Sequence, residues 1–216
     1  MSRVRRGIGI VHVAFAPDPV AVAARRAAKL GFDHIDVLAT TTDELALPIG
    51  DRIAPTSPQP GCSTPAPPMP ANSADADALW DRAVAAYRRA PGMLLEPWGG
   101  SICNSFDRVH EMLEEVPGLR LLVDTGHIAG WGDDPARYLP WAAHVQLRQA
   151  RAGVIQVHPD GGGDVDFGVV LRRLDELDYD GLLSVEYFDL PDYGWPLDDP
   201  VGHAVALAAH VRSLLA

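Results

Sequence analysis

Leu119-Arg-Leu-Leu-Val-Asp-Thr-Gly-His127 is the most informative stretch of this 216-residue chain. Its apolar run has the length of a strand buried on both faces, as in a parallel sheet covered by helices. The run then stops on an acid, Asp124, which packing alone would not choose. Three further segments behave alike: Leu94-Leu-Glu96-Pro-Trp98, His144-Val-Gln146-Leu-Arg148 and Ser184-Val-Glu186-Tyr187. In each, polar residues close an apolar run at the strand's carboxyl end. Barrels and open α/β sheets place their ligand sites there.

The rest of the chain keeps the same beat. Gly7–Phe15 reads as a buried strand. A helix follows from Pro19 to Leu30, with Asp18 as N-cap and Gly31 as C-cap. His34–Ala39, Met93–Glu96, Leu119–Asp124, His144–Arg148 and Leu182–Glu186 complete six firm strands. Helices are expected over Ser105–Val116, Asp134–Ala142, Asp166–Leu177 and Val201–Leu215. Strands alternating with helices predict parallel pairing through right-handed crossovers. Thr40–Ser73 breaks the rhythm, because eight of the 19 prolines lie between Pro48 and Pro70. At most two short strands fit there, near Ile49–Ile53 and Cys62–Ala66. Eight strands would close a (β/α)₈ barrel as one domain over residues 1–216, shortened or irregular around residues 40–73.

Composition narrows the function. Hydrophobic residues at 47% and charged residues at 22% are ordinary globular values. Lys+Arg 18 against Asp+Glu 29 leaves a net charge of −11, which opposes a phosphate backbone and argues against a nucleic-acid partner. No apolar run reaches the roughly 18 residues of a membrane span, and the first residues lead into a strand rather than a signal peptide. A cytoplasmic location without a membrane partner is expected. Two cysteines make neither a disulfide framework nor a thiolate zinc cage. Cys103 has no evident base partner and no Gly-x-Ser-x-Gly elbow occurs, so nucleophilic hydrolysis lacks support. Gly161-Gly-Gly-Asp164 reads as a turn into Asp166, the N-cap of the next helix.

The strand-end acids carry the chemistry. Taken alone, Asp124 reads as a helix cap, His127 as a satisfied polar residue, and His144 or Gln146 as a core group bonded to backbone. Their recurrence over four βα units favours a shared site. Three buried carboxylates from separate strands repel one another, and a divalent cation removes that objection. Carboxylate oxygens with an amide or imidazole suit Mg²⁺, Mn²⁺ or Co²⁺. Zn²⁺ is compatible, though no thiolate favours it.

At Val123–His127, His144-Val-Gln146, Gly163-Asp-Val-Asp-Phe167 and Gly181–Glu186, the chain resembles the xylose isomerase-like TIM-barrel superfamily of sugar isomerases, epimerases and endonuclease IV-type nucleases. The resemblance is good from about Met93 onward, loose over Gly7–Ala39 and poor across Thr40–Ser73. It implies one metal held by Glu96, Asp124, Gln146 and Glu186, with His144 as the alternative to Gln146. It implies substrate contacts by His127 and Arg151, with Arg148 competing for the arginine's place; Trp98 and His12 are assigned with them. Glu96 and Glu186 would move a proton through an enediolate. The implied function is a metal-dependent isomerase or epimerase of a small sugar-like α-hydroxy carbonyl substrate. A lyase or dehydratase using the same site, and a non-catalytic subunit built on this barrel, are the alternatives. The extra ligands of the nucleases are not evident. Tyr187-Phe188, Tyr193 and Trp195 are expected to pack over the barrel mouth, with a substrate wall or a homo-oligomer contact as the other readings.

Overall fold

A computed structural model describes residues 7–37, 51–52 and 62–216. Its strands are β1 Ile8–Val11, β2 Ile35–Val37, β3 Asp51–Arg52, β4 Cys62–Pro65, β5 Met93–Glu96, β6 Arg120–Asp124, β7 Ala142–Leu147 and β8 Leu183–Val185. They form one sheet in the order β3-β2-β1-β8-β7-β6-β5-β4. The last strand lies against the first in parallel, with Gly9 opposite Ser184, as a barrel requires. β3 alone runs antiparallel, pairing with β2 through Asp36–Arg52 and Val37–Asp51. The sheet's two ends are β3 and β4, so among the described residues the ladder is a TIM-type barrel interrupted between them.

Strand side chains alternate between two faces, and here the two faces differ in chemistry. Ile35, Leu95, Leu121, Val123, Val145, Leu147, Leu183 and Val185 are buried in the hydrophobic core. Their neighbours along the same strands are His34, Asp36, Asp124, His144, Gln146 and Ser184, all buried polar groups. The strand ends therefore turn polar groups toward the barrel interior, beside Val11 and Leu122, and the large apolar core lies between strands and helices.

The helices are α1 Val20–Lys29, α2 Ser73–Arg89, α3 Phe106–Glu115, α4 Thr125–Gly130, α5 Phe167–Glu176 and α6 Pro200–Leu215. Three of them bury the same i, i+3, i+4, i+7 stripe. These stripes are Trp80, Ala83, Val84, Tyr87; Phe167, Val170, Leu171, Leu174; and Ala204, Leu207, Ala208, Val211. Each large apolar side chain so covered contributes about 1.5–3 kcal/mol. Ser105 and Asp166 cap α3 and α5 as expected, accepting from the N–H groups of Arg108 and Val169. Among the described residues no helix is long and apolar enough to cross a membrane.

Several elements differ from expectation. The first strand stops at Val11, and His12–Phe15 form a 3-10 turn. α1 takes Pro19 as its N-cap without a side-chain bond, while the Asp18 carboxylate meets Arg26 at 2.5 Å. The helix expected over Asp134–Ala142 is two 3-10 turns, Pro135–Arg137 and Leu139–Trp141. Pro140 lacks an N–H and restricts Leu139, so a continuous helix cannot form there. α2 and α4 were not expected at all. Residues 38–39 of the second expected strand lie outside the described residues. So does most of the proline-rich segment, of which residues 51–52 and 62–73 are described.

Candidate active site

Asp124 organises the site from the end of β6. Its Oδ1 accepts from the Gly126 N–H at 2.7 Å and the His127 N–H at 3.4 Å, capping α4. That cap turns His127 back toward the strand end. His127 Nε2 lies 3.5 Å from Asp124 Oδ2 and 3.6 Å from Glu96 Oε1. Glu96, Asp124 and His127 thus form a group whose ligand atoms all lie within 4.8 Å of one another. Glu186 follows β8, and its Oε2 is 3.6 Å from an Arg148 nitrogen that also donates to Asp124 Oδ2.

Arg148 is fully buried beneath this cluster. Its guanidinium carbon sits 4.6 Å from the Phe188 ring centroid. Thr125 Oγ1 accepts from its backbone N–H and donates to its carbonyl oxygen. Gly126 leaves the space it needs, because a Cβ there would lie 2.2 Å from Arg148 Nε.

The electrostatics follow. Burial raises the Glu96 carboxyl to about 7, with the Asp124 charge adding and Arg148 opposing. Burial also holds Glu186 well above the usual range, and Arg148 only partly offsets it against Asp124 and Glu96. For Asp124, burial is outweighed by Arg148, His127 and the hydrogen bonds it accepts, so its carboxyl lies below the usual range. Burial lowers the His127 imidazole to about 4, with Asp124 opposing and Arg148 reinforcing. A neutral imidazole offers a lone pair to a cation or a hydrogen bond to a substrate oxygen.

These groups border a cavity of about 390 Å³. Glu96, His127, Gln146 and Glu186 line it together with Trp98, Phe188, Tyr193 and Trp195. The Trp98 ring is fixed by its Nε1–H, which donates to the Ala66 carbonyl at 2.7 Å. Trp195 meets His127 edge-on at 6.2 Å between centroids. The aromatic loop after β8 therefore forms one wall of the cavity.

The donor set fits a divalent cation. Gln146 Oε1 and Glu186 Oε2 are buried without a hydrogen-bond partner, which is costly unless something else satisfies them. Burial and mutual repulsion hold Glu96 and Glu186 toward their neutral forms, and a bound divalent ion would offset the net −2 that three ionised carboxylates and one guanidinium would carry.

Two expected substrate residues are elsewhere. His12 lies on the turn after β1, its Nε2 2.8 Å from the Asp18 carbonyl oxygen, and does not line the cavity. The early end of β1 carries it away. Arg151 is exposed in a tight turn bridged to Val154, so Arg148 is the arginine at the site. His144, the alternative ligand to Gln146, points Nε2 at Asp36 Oδ2 instead, at 2.6 Å. Sequence reasoning missed Asp36. It ends no apolar run, and its partner stands 108 positions away.

Residues 64–212 match a family model described as xylose isomerase-like TIM barrel. A 121-residue stretch is 29% identical to an inosose dehydratase of Clostridium tetani, covering 46% of this chain and 40% of that one. A 51-residue stretch is 39% identical to a Danio rerio protein named "Putative hydroxypyruvate isomerase", covering 24% of this chain and 17% of that one. The matched stretches thus span less than half of either relative. The solved structure of a D-psicose 3-epimerase in the presence of D-fructose superposes with a TM-score of 0.69 at 15% identity, covering 97% of this chain and 99% of that one. At that identity the likeness is one of fold.

Proposed function

The chain belongs to the xylose isomerase-like TIM-barrel family, and from that premise we propose that it is a metal-dependent isomerase or epimerase of a small sugar-like α-hydroxy carbonyl compound. One observation carries the reading. Glu96, Asp124, Gln146 and Glu186 leave the carboxyl ends of four successive parallel strands and converge beside one cavity.

A divalent ion, when bound, would polarise a carbonyl and its adjacent hydroxyl and so acidify the C–H between them. Glu96, Asp124, Gln146 and Glu186 would hold it; Glu96 and Asp124 already share one tight group with His127, and Gln146 and Glu186 line the adjoining cavity. Glu96 and Glu186 stand at opposite ends of this run of strands and can serve two faces of a substrate. One carboxylate removes the carbon-bound proton, and the substrate becomes an enediolate. Return of the proton to the neighbouring carbon isomerises; return to the opposite face of the same carbon epimerises. His127, neutral through burial, hydrogen-bonds a substrate oxygen. Trp98, Phe188 and Trp195 keep water from the intermediate.

The test is proton exchange followed by NMR in D₂O, with protein saturated with Mn²⁺, Mg²⁺ or Co²⁺ and a panel of ketoses. Deuterium is expected at carbon, chelation removes the activity, and Glu96→Gln or Glu186→Gln slows it by about 10²–10⁴-fold. Metal-loaded protein that exchanges no C–H proton would sink the reading. The inosose dehydratase relative favours one second reading, in which the same proton abstraction ends in loss of a β-hydroxyl as water. A dehydrated product in that experiment identifies it. A non-catalytic subunit would leave the activity of its complex unaltered by Glu186→Gln.

A further inference from the structure

We propose that Asp36 and His144 form a hydroxyl-recognition subsite on the cavity floor, and that the group seated there is an uncharged alcohol rather than a phosphate or carboxylate. The proposal rests on the reading that the cavity holds the substrate. Both residues line the cavity, and they are 3% and 2% exposed. They come from β2 and β7, strands separated in the sheet by β1 and β8, so the pair spans the barrel interior. His144 Nε2 lies 2.6 Å from Asp36 Oδ2, and His34 stands 3.9 Å from Asp36 Oδ1. His34 is itself fixed, its Nε2 2.9 Å from Ser184 Oγ, in space that Gly9 leaves open. A buried pair of this kind adds little stability over apolar side chains of the same volume. Its place on a cavity wall is better explained by recognition.

The chemistry of the pair selects the ligand. His144 Nε2 is taken up by Asp36 Oδ2, and Nδ1 is buried with no hydrogen-bond partner in the protein. A hydroxyl both donates and accepts, so it can satisfy that nitrogen whichever role the nitrogen takes, at no cost in charge. The surroundings agree. The described lining residues include Asp36, Glu96 and Glu186 but no Lys or Arg, since Arg148 is buried behind the carboxylates. His144 stands two residues before Gln146 on the same strand face. The subsite therefore lies about 7 Å along the strand from the proposed metal donor, deep enough for the far end of a short polyol.

The experiment is isothermal titration of Mn²⁺-saturated protein with D-fructose and D-tagatose, and with D-fructose 6-phosphate as the charged probe. Wild type should bind at least one free ketose and hold the phosphate ester about tenfold or more weaker. His144→Leu should weaken the ketose by about tenfold at unchanged Mn²⁺ affinity, with a lowered melting temperature because Asp36 loses its buried partner but with the protein still folded at the temperature of titration. Equal or tighter binding of the phosphate ester overturns the proposal without any variant. So does folded His144→Leu with unchanged ketose affinity, or wild type that binds none of the three. Failure of the catalytic reading shows differently, as protein that binds a ketose through His144 yet exchanges no C–H proton.

Discussion

Replacing Arg148 by Met removes the permanent cation of the carboxylate cluster while keeping much of the side chain's bulk. Arg148 is 0% exposed and donates to Asp124, with Glu186 3.6 Å from the same nitrogen. Breaking a buried pair by deleting one partner costs about 3–5 kcal/mol, because the other charge stays behind unpaired. For a chain of 216 residues each kcal/mol moves the melting temperature by about 2–4 °C, so a drop of about 6–20 °C is expected. The measurement is thermal unfolding by circular dichroism in EDTA and again with excess Mn²⁺. In the variant the guanidinium no longer competes for Asp124 and Glu186, so Mn²⁺ should raise its melting temperature more than it raises that of wild type. An ion at a hundred times its dissociation constant stabilises by about 2.7 kcal/mol, which would recover most of the deficit. A variant as stable as wild type in EDTA, or one that gains less from Mn²⁺, would show that Arg148 is not the counter-charge of this cluster.

Three further outcomes are expected. Gly126→Ala drives a methyl to within 2.2 Å of Arg148 Nε and 2.8 Å of the Ile155 carbonyl oxygen, and should cost about 1–3 kcal/mol by denaturant unfolding. Burial pushes the Cys103 thiol up to about 12, with Glu111 adding and Arg108 opposing. Iodoacetamide followed by peptide mass spectrometry should therefore modify Cys103 only after unfolding; rapid labelling of folded protein would contradict its burial. Asp133 accepts from the buried Tyr138 hydroxyl and from Arg137, each at 2.7 Å, and Asp133→Ala should cost about 1–3 kcal/mol at pH 7. Burial raises the Asp133 carboxyl, but those bonds outweigh it and hold it below the usual range. A lowered acid stabilises the fold above its unfolded value and loses that contribution as pH falls through its folded value. The gap between wild type and Asp133→Ala should thus narrow only below about pH 4, and a gap that opened toward acid would contradict the assignment.

What could be read from the sequence was local. Asp124 and Glu186 announced themselves because each breaks off an apolar run, and the run is what makes a buried strand. Both short strands in the proline-rich segment fell near their expected places, at Asp51–Arg52 and Cys62–Pro65. α2 was equally legible in principle, since Trp80, Ala83, Val84 and Tyr87 repeat at helical spacing. Long-range pairing was out of reach. Nothing in Asp36 foretells His144, and nothing in Arg148 tells that it turns inward under Asp124 rather than outward to solvent. The missing side chain of Gly126 gives Arg148 its place beside Asp124, a fit between residues 22 positions apart that neither residue announces alone.

The alternation along each strand divides the work of this barrel by parity. Odd-numbered neighbours on β6 and β7, such as Val123, Val145 and Leu147, face helices, while Asp124, His144 and Gln146 face the axis. Chemistry can therefore change on the even positions with little effect on the shell that holds the fold, and repacking of the shell leaves the axis intact. The same arrangement makes register the quantity the fold must guard. A slip of one residue between β6 and β7 would push His144 and Gln146 into oil and hang Val145 over the cavity, so the Asp124–Gln146 register is as much a requirement for the site as any of its donors.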